Sequence, residues 1–180
     1  MSDYDINFDE SIPYKIKSRR ETRSLVFHVL YAADRFDYTI DFDDLIDEFR
    51  TGFNIEIAPD SDIIRMSKNI IDSRQELDNQ IKPLLKNWKI ERLGCCTLLI
   101  LRLAIWELMQ KEIPPSIIIN EAIELAKGFA EKDAYKFING ILDEYCKINK
   151  LYDQDKEKPE SSHSCEELED KEKKGKNDQS

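Results

Sequence analysis

Leu98-Leu99-Ile100-Leu101-Arg102-Leu103-Ala104-Ile105-Trp106-Glu107-Leu108 decides the fold of this chain. Apolar residues fill nearly every position, with no polar stripe at the helical period and no alternation of the kind a half-exposed strand shows. A helix apolar on most faces is buried on most faces. The helix expected over 93–110 is therefore the centre of a bundle, and the rest of the chain must supply helices to cover it. Arg102 and Glu107 break the run, so it is too short and too charged to span a membrane.

Reading outward from that helix gives its partners. Pro114-Pro115-Ser116 starts the next one, with Ile119, Ala122, Ile123 and Ala126 on its inner face and Gly128 near its end. A further helix over 133–148 packs through Phe137, Ile138, Ile141, Leu142 and Tyr145, and Asn139-Gly140 within it reads as a tight packing point. On the other side, Trp88 to Gly94 joins the central helix to an earlier half. There the apolar positions of 62–85 break near Asp72-Ser73, which predicts two helices, the second shortened by Pro83. A short helix over 43–50 carries Leu45, Ile46 and Phe49 and ends at Thr51-Gly52. The first helix, 18–35, buries Thr22, Leu25, Val26, Val29, Leu30 and Ala33. The expected architecture is all-α, about seven helices in a two-part bundle, with halves at 18–87 and 88–150.

The ends differ in composition. Residues 1–17 form a leader that begins acidic (Asp3, Asp5, Asp9, Glu10) and turns basic at Lys15 and Lys17. Residues 153–180 hold ten acids, six lysines, one leucine and no aromatic. Such a segment cannot repay the entropy of ordering, so 151–180 is expected to be a disordered tail.

The 180 residues carry a formal net charge of -10. Against that background Lys15, Lys17, Arg19, Arg20 and Arg23 form a basic island opposed only by Glu21. A cluster of cations at the start of an anchored helix suits a polyanion, and RNA is the expected partner. Enzyme chemistry has no comparable support. The histidines are His28, within the first helix and expected to bond locally, and His163 in the tail. No Gly-rich phosphate loop is present, and Glu121 and Glu124 lack the histidine that a carboxylate metal site needs. The cysteines Cys95, Cys96, Cys146 and Cys165 form no metal spacing and read as reduced thiols. No apolar leader is present, so the expected location is the cytoplasm. No catalytic residue, metal or cofactor is expected.

Three blocks then resemble one family. They are Ser18-Arg19-Arg20-Glu21-Thr22-Arg23 with Val29-Leu30-Tyr31; Leu101 to Leu108; and Ile113-Pro114-Pro115 with Ile119-Asn120-Glu121-Ala122-Ile123-Glu124-Leu125-Ala126-Lys127 and Lys136-Phe137-Ile138-Asn139-Gly140-Ile141-Leu142-Asp143. Over about residues 18–148 the chain is similar to the NusB family of transcription antitermination factors. The resemblance implies an all-helical, NusB-like fold and no catalysis or cofactor. It implies binding to the boxA element of nascent ribosomal RNA together with a small-subunit ribosomal protein, NusE. The other implied partners are further Nus factors and elongating RNA polymerase, with a role in ribosomal RNA maturation. Homodimers occur in the family.

Carried onto this sequence, the family's arginine-rich RNA surface matches Arg19, Arg20 and Arg23, with Lys15 and Lys17 alongside and Glu21 where a basic residue is common. Tyr31, Asp133, Lys136 and Phe137 match positions near bound RNA. The partner-protein surface maps to the outer faces around Glu76–Leu85 and Trp106–Gln110. Two other readings remain open. One is a helical adaptor that binds protein without significant RNA binding. The other is the helical accessory domain of an RNA methyltransferase, which is not expected here because only a charged segment follows residue 150.

Overall fold

A computed structural model describes residues 12–86 and 88–154. The acidic part of the leader, residues 1–11, and the tail from 155 onward lie outside the described residues. The elements are β1 (Tyr14–Lys15), α1 (Arg19–Arg35), α2 (Phe42–Gly52), β2 (Ile55–Glu56), α3 (Asp62–Asp72), α4 (Arg74–Ile81), α5 (Cys95–Gln110), α6 (Pro115–Phe129), α7 (Ala134–Ile148) and a single turn, α8 (Leu151–Gln154). Short 3-10 turns at Lys82–Leu84 and Ile90–Arg92 lie on the connection between α4 and α5.

Helix α5 is the axis, as its composition requires. Every residue from Leu99 to Leu108 is buried. Helices α1, α4, α6 and α7 pack around it, α3 lies against α1, and α6 and α7 form an antiparallel pair. A single hydrophobic core runs through both groups of helices. The break expected near Asp72-Ser73 is the junction of α3 and α4, where Ser73 is left non-helical and its hydroxyl bonds back to the Asn69 carbonyl at 2.6 Å. Pro83 sits in the 3-10 turn that ends α4.

Three local readings change. Residues 14–15, assigned to the leader, pair in parallel with Ile55–Glu56, so the ordered body starts before Ser18. Residues 151–154, assigned to the tail, continue it, with Leu151 buried and the Tyr152 hydroxyl donating to Asp143 at 2.9 Å. Gly140 is no packing point, because a Cβ added there meets open space. The glycine under close approach is Gly94, the N-cap of α5. The Glu131 carboxylate lies across it, and an added Cβ would collide with Glu131 Oε1. Glu131 also accepts a 2.8 Å hydrogen bond from the Thr97 hydroxyl. A carboxylate held over a helix N-terminus is favoured by the exposed amides there.

Candidate nucleic-acid interface

Helix α1 starts where Ser18 caps it. The Ser18 hydroxyl accepts from the Glu21 amide at 3.2 Å, and Glu21 reaches back to accept the Lys17 amide at 2.7 Å. This is a capping box displaced by one residue. It gives Glu21 a structural task and explains a carboxylate in the middle of a basic island.

The island is less positive in the folded chain than in the sequence. Lys15 pairs with Glu56 at 3.0 Å. Arg20 forks onto Glu121 of α6, with Nε 3.1 Å from Oε2 and Nη2 2.9 Å from Oε1. The Glu121 carboxylate raises the Arg20 pKa further, so the guanidinium stays charged and is held in one orientation. Arg23 departs most from expectation. It is 5% exposed, and its Nε sits 3.0 and 2.9 Å from the two carboxylate oxygens of Glu107, itself 7% exposed. A guanidinium buried against a carboxylate is not offered to phosphate, so Arg23 is a core ion pair rather than part of an RNA surface. Two of the island's exposed cations have no ion pair among the described residues. The Lys17 Nζ hangs 5.7 Å over the Tyr14 ring. Arg19 has no ion pair among the described residues and opens onto a small cleft shared with Arg65, Trp106 and Glu112.

Further along α1 the surface turns aromatic. Arg20, Phe27, Tyr31 and Arg35 follow one another at four- and seven-residue steps, a single helical stripe. Tyr31 is 40% exposed. Its ring centroid is 6.4 Å from buried Phe27, which stacks at 5.0 Å on Phe129 from the end of α6. Phe129 is 43% exposed, and the His28 ring meets it edge-on at 4.9 Å. The His28 Nδ1 donates to the Ser24 carbonyl at 2.6 Å, the local bond expected of it. The contacts Arg20–Glu121 and Phe27–Phe129 show that α1 and α6 run side by side in the same direction. Their joint flank carries cations at one end and three neighbouring rings at the other. Phe129 and His28 were absent from the residues expected to meet RNA. Phe129 continues the apolar period of α6 from Ala122 and Ala126, which points it toward the bundle but does not say that it meets α1.

The remaining candidates lie on α7 and its start. Asp133 is the N-cap of α7 in the left-handed region, with φ of 68°. It pairs with Lys136 at 2.9 Å, and this bond raises the lysine pKa. The two charges cancel locally. Phe137 is partly buried against the core, which places most of its ring among apolar neighbours rather than bases.

A groove of about 550 Å³ lies between α3, α4 and the end of α5. Asp72 and Glu76 edge it, and Leu77, Trp106 and Met109 line it. Among the described residues no cluster of His, Cys, Asp or Glu is placed to hold a metal. No helix there is long and apolar enough to cross a membrane.

The model of the NusB family matches residues 20–147. The chain belongs to the NusB family. It is 36% identical over 132 residues to the transcription antitermination protein NusB of Macrococcus caseolyticus, covering 72% of this chain and 97% of that one. Its identity to the Staphylococcus haemolyticus protein of the same name is 38% over 126 residues, covering 69% and 96%. Among solved structures, NusB of T. maritima superposes with a TM-score of 0.66 at 30% identity, over 76% of this chain and 98% of that one. A crystal structure of the antitermination factors NusB and NusE in complex with double-stranded RNA superposes at 0.63 and 27% identity, over 72% and 96%. The family is one of antitermination proteins rather than enzymes, and the all-helical bundle read from the sequence is its fold.

Proposed function

We propose that this protein binds the boxA element of nascent ribosomal RNA through the α1–α6 flank, together with the ribosomal protein NusE. In this role it supports ribosomal RNA transcription and maturation. The observation that carries the reading is the exposure of Tyr31 and Phe129 alongside α1, the helix whose start exposes Lys17, Arg19 and Arg20. Single-stranded RNA is recognised by stacking unpaired bases on aromatic rings and forking guanidinium groups onto phosphates. This flank offers the rings and the outer edge of Arg20, with Lys17 and Arg19 exposed at the start of α1. A related NusB has been solved with NusE and double-stranded RNA, which supports the partner types. The acidic and apolar groove between α3, α4 and α5 suits a basic ribosomal protein, whose lysines and arginines would meet Asp72 and Glu76.

The test is binding of a boxA RNA and a scrambled RNA of equal length, each with and without NusE. Sequence-dependent binding strengthened by NusE supports the proposal, and binding indifferent to both refutes it. The pairing of Lys15, Arg20 and Arg23 with carboxylates favours a second reading, an adaptor that binds protein alone. NusE binding with no measurable RNA affinity would establish that alternative.

A further inference from the structure

The connection between α4 and α5 carries a feature that packing does not explain. Trp88 is 60% exposed, and among the described residues no aromatic ring or cation is seated on it. The Trp88 amide donates to the Leu85 carbonyl at 2.9 Å, and Leu84, Leu85 and Ile90 are buried on either side. Leaving an indole in water forgoes more burial energy than leaving out almost any other side chain. Its neighbours are basic. Lys82, Lys86, Lys89 and Arg92 stand against Glu91 alone, in a chain of net charge -10. Lys86 has only a loose pair with Glu144 at 3.7 Å, and Lys89 and Arg92 have no ion pair among the described residues.

This connection lies at the far end of the α1 stripe. The Cys95 thiol donates to Asp34 at 3.1 Å, and the Arg35 charge acts on the same thiol. Glu131, two residues beyond Phe129, lies over Gly94. The Arg20–Tyr31–Arg35 stripe and the end of α6 thus both arrive at residues 94–95. Arg92 is three residues from Cys95, within about 10 Å along the backbone.

We propose that residues 88–92 are a second contact for single-stranded RNA, with Trp88 stacking on an unpaired base and Lys89 and Arg92 binding phosphates. It would hold nucleotides flanking the element bound on α1. The inference rests on the RNA reading above. RNA is favoured over a protein occupant because the exposed apolar surface is one ring. That is enough for one base but far short of a stable protein interface.

The test uses the full chain and two labelled RNAs, a short boxA RNA and the same RNA extended by a uridine tract at either end. Wild type should bind one extended RNA about five- to tenfold more tightly than the short one. Trp88→Ala should abolish that gain and leave the short RNA unaffected, while Trp88→Phe retains most of it. Replacing Lys89 and Arg92 together with alanine should lower the salt slope for the extended RNA by about 1.4. No gain in wild type overturns the proposal, as does a gain that survives Trp88→Ala. A Trp88→Ala variant that loses NusE instead of RNA also overturns it, in favour of a protein contact. Arg19→Ala separates the two readings. It should weaken both RNAs, and if it weakens neither, the α1 surface fails independently of the second contact.

Discussion

Arg23→Ala separates a core ion pair from an RNA contact at the same residue. Both charged groups are almost fully buried, and Glu107 accepts both of its close contacts from the Arg23 Nε. Removing the guanidinium leaves a carboxylate in the core without its partner, beside Trp106 and under α1. Breaking one side of a buried pair costs about 3–5 kcal/mol. For a domain of this size each kcal/mol lowers the melting midpoint by about 2–4 °C, so the expected fall is about 6–20 °C. Replacing the pair with apolar residues, Arg23→Met with Glu107→Leu, should recover most of that loss, because the desolvation cost of both charges disappears with them. Urea unfolding followed by helical circular dichroism gives the measurement, and an unchanged m-value shows that stability alone has moved. Arg19→Ala is the comparison. Arg19 is exposed, so its loss should change stability by less than about 0.5 kcal/mol while weakening RNA. The reasoning fails if Arg23→Ala costs under about 1 kcal/mol and weakens RNA as Arg19→Ala does.

The salt dependence of RNA binding should reflect the neutralised island. With Lys17, Arg19 and the outer edge of Arg20 available, the slope for the α1 surface on a short single strand is about 1.4–2.1. Five free cations would give about 3.5, and a titration over ionic strength distinguishes the two. Gly94→Ala should force Glu131 off the start of α5 and break its bond to Thr97, costing about 1–2 kcal/mol in urea unfolding; no loss would mean that the carboxylate has an equivalent resting place. Burial and Asp34 push the Cys95 thiol up to about 12, so its thiolate is scarce at neutral pH. Alkylation of Cys95 at pH 8 should lag well behind a free model thiol and quicken as pH rises toward 12, as peptide mass mapping would show. Alkylation at the free-thiol rate would contradict that environment.

The bundle was legible because α5 has no polar face and the other helices each have one apolar face, so only one arrangement buries them all. The breaks at Ser73 and Pro83 were equally readable, since they are local chemistry. What the sequence obscured was pairing at a distance. Nothing local says that Arg20 meets Glu121 or that Arg102 forks onto Asp78 at 2.8 and 2.9 Å. Arg23 did leave a signal. It shares the α1 stripe of Val26, Leu30 and Ala33, and a charge on a core stripe implies a buried partner. Glu107, inside an otherwise apolar helix, is the matching half. Phe137 likewise belongs to the core stripe of α7, where both its period and its partial burial put it, although it also matches an RNA-proximal position of the family. Phe129 lies on the apolar period of α6, but its exposure depends on how α6 ends against α1, which no local pattern states.

The central claim is that RNA lies on the α1–α6 flank, and photo-crosslinking tests it most directly. A boxA RNA carrying 4-thiouridine would be irradiated with the full chain and NusE, and the adducts mapped by mass spectrometry. Crosslinks should concentrate at Lys17, Tyr31 and Phe129 and be lost with a scrambled RNA. Adducts confined to other faces of the bundle, or equal for both RNAs, would contradict the claim.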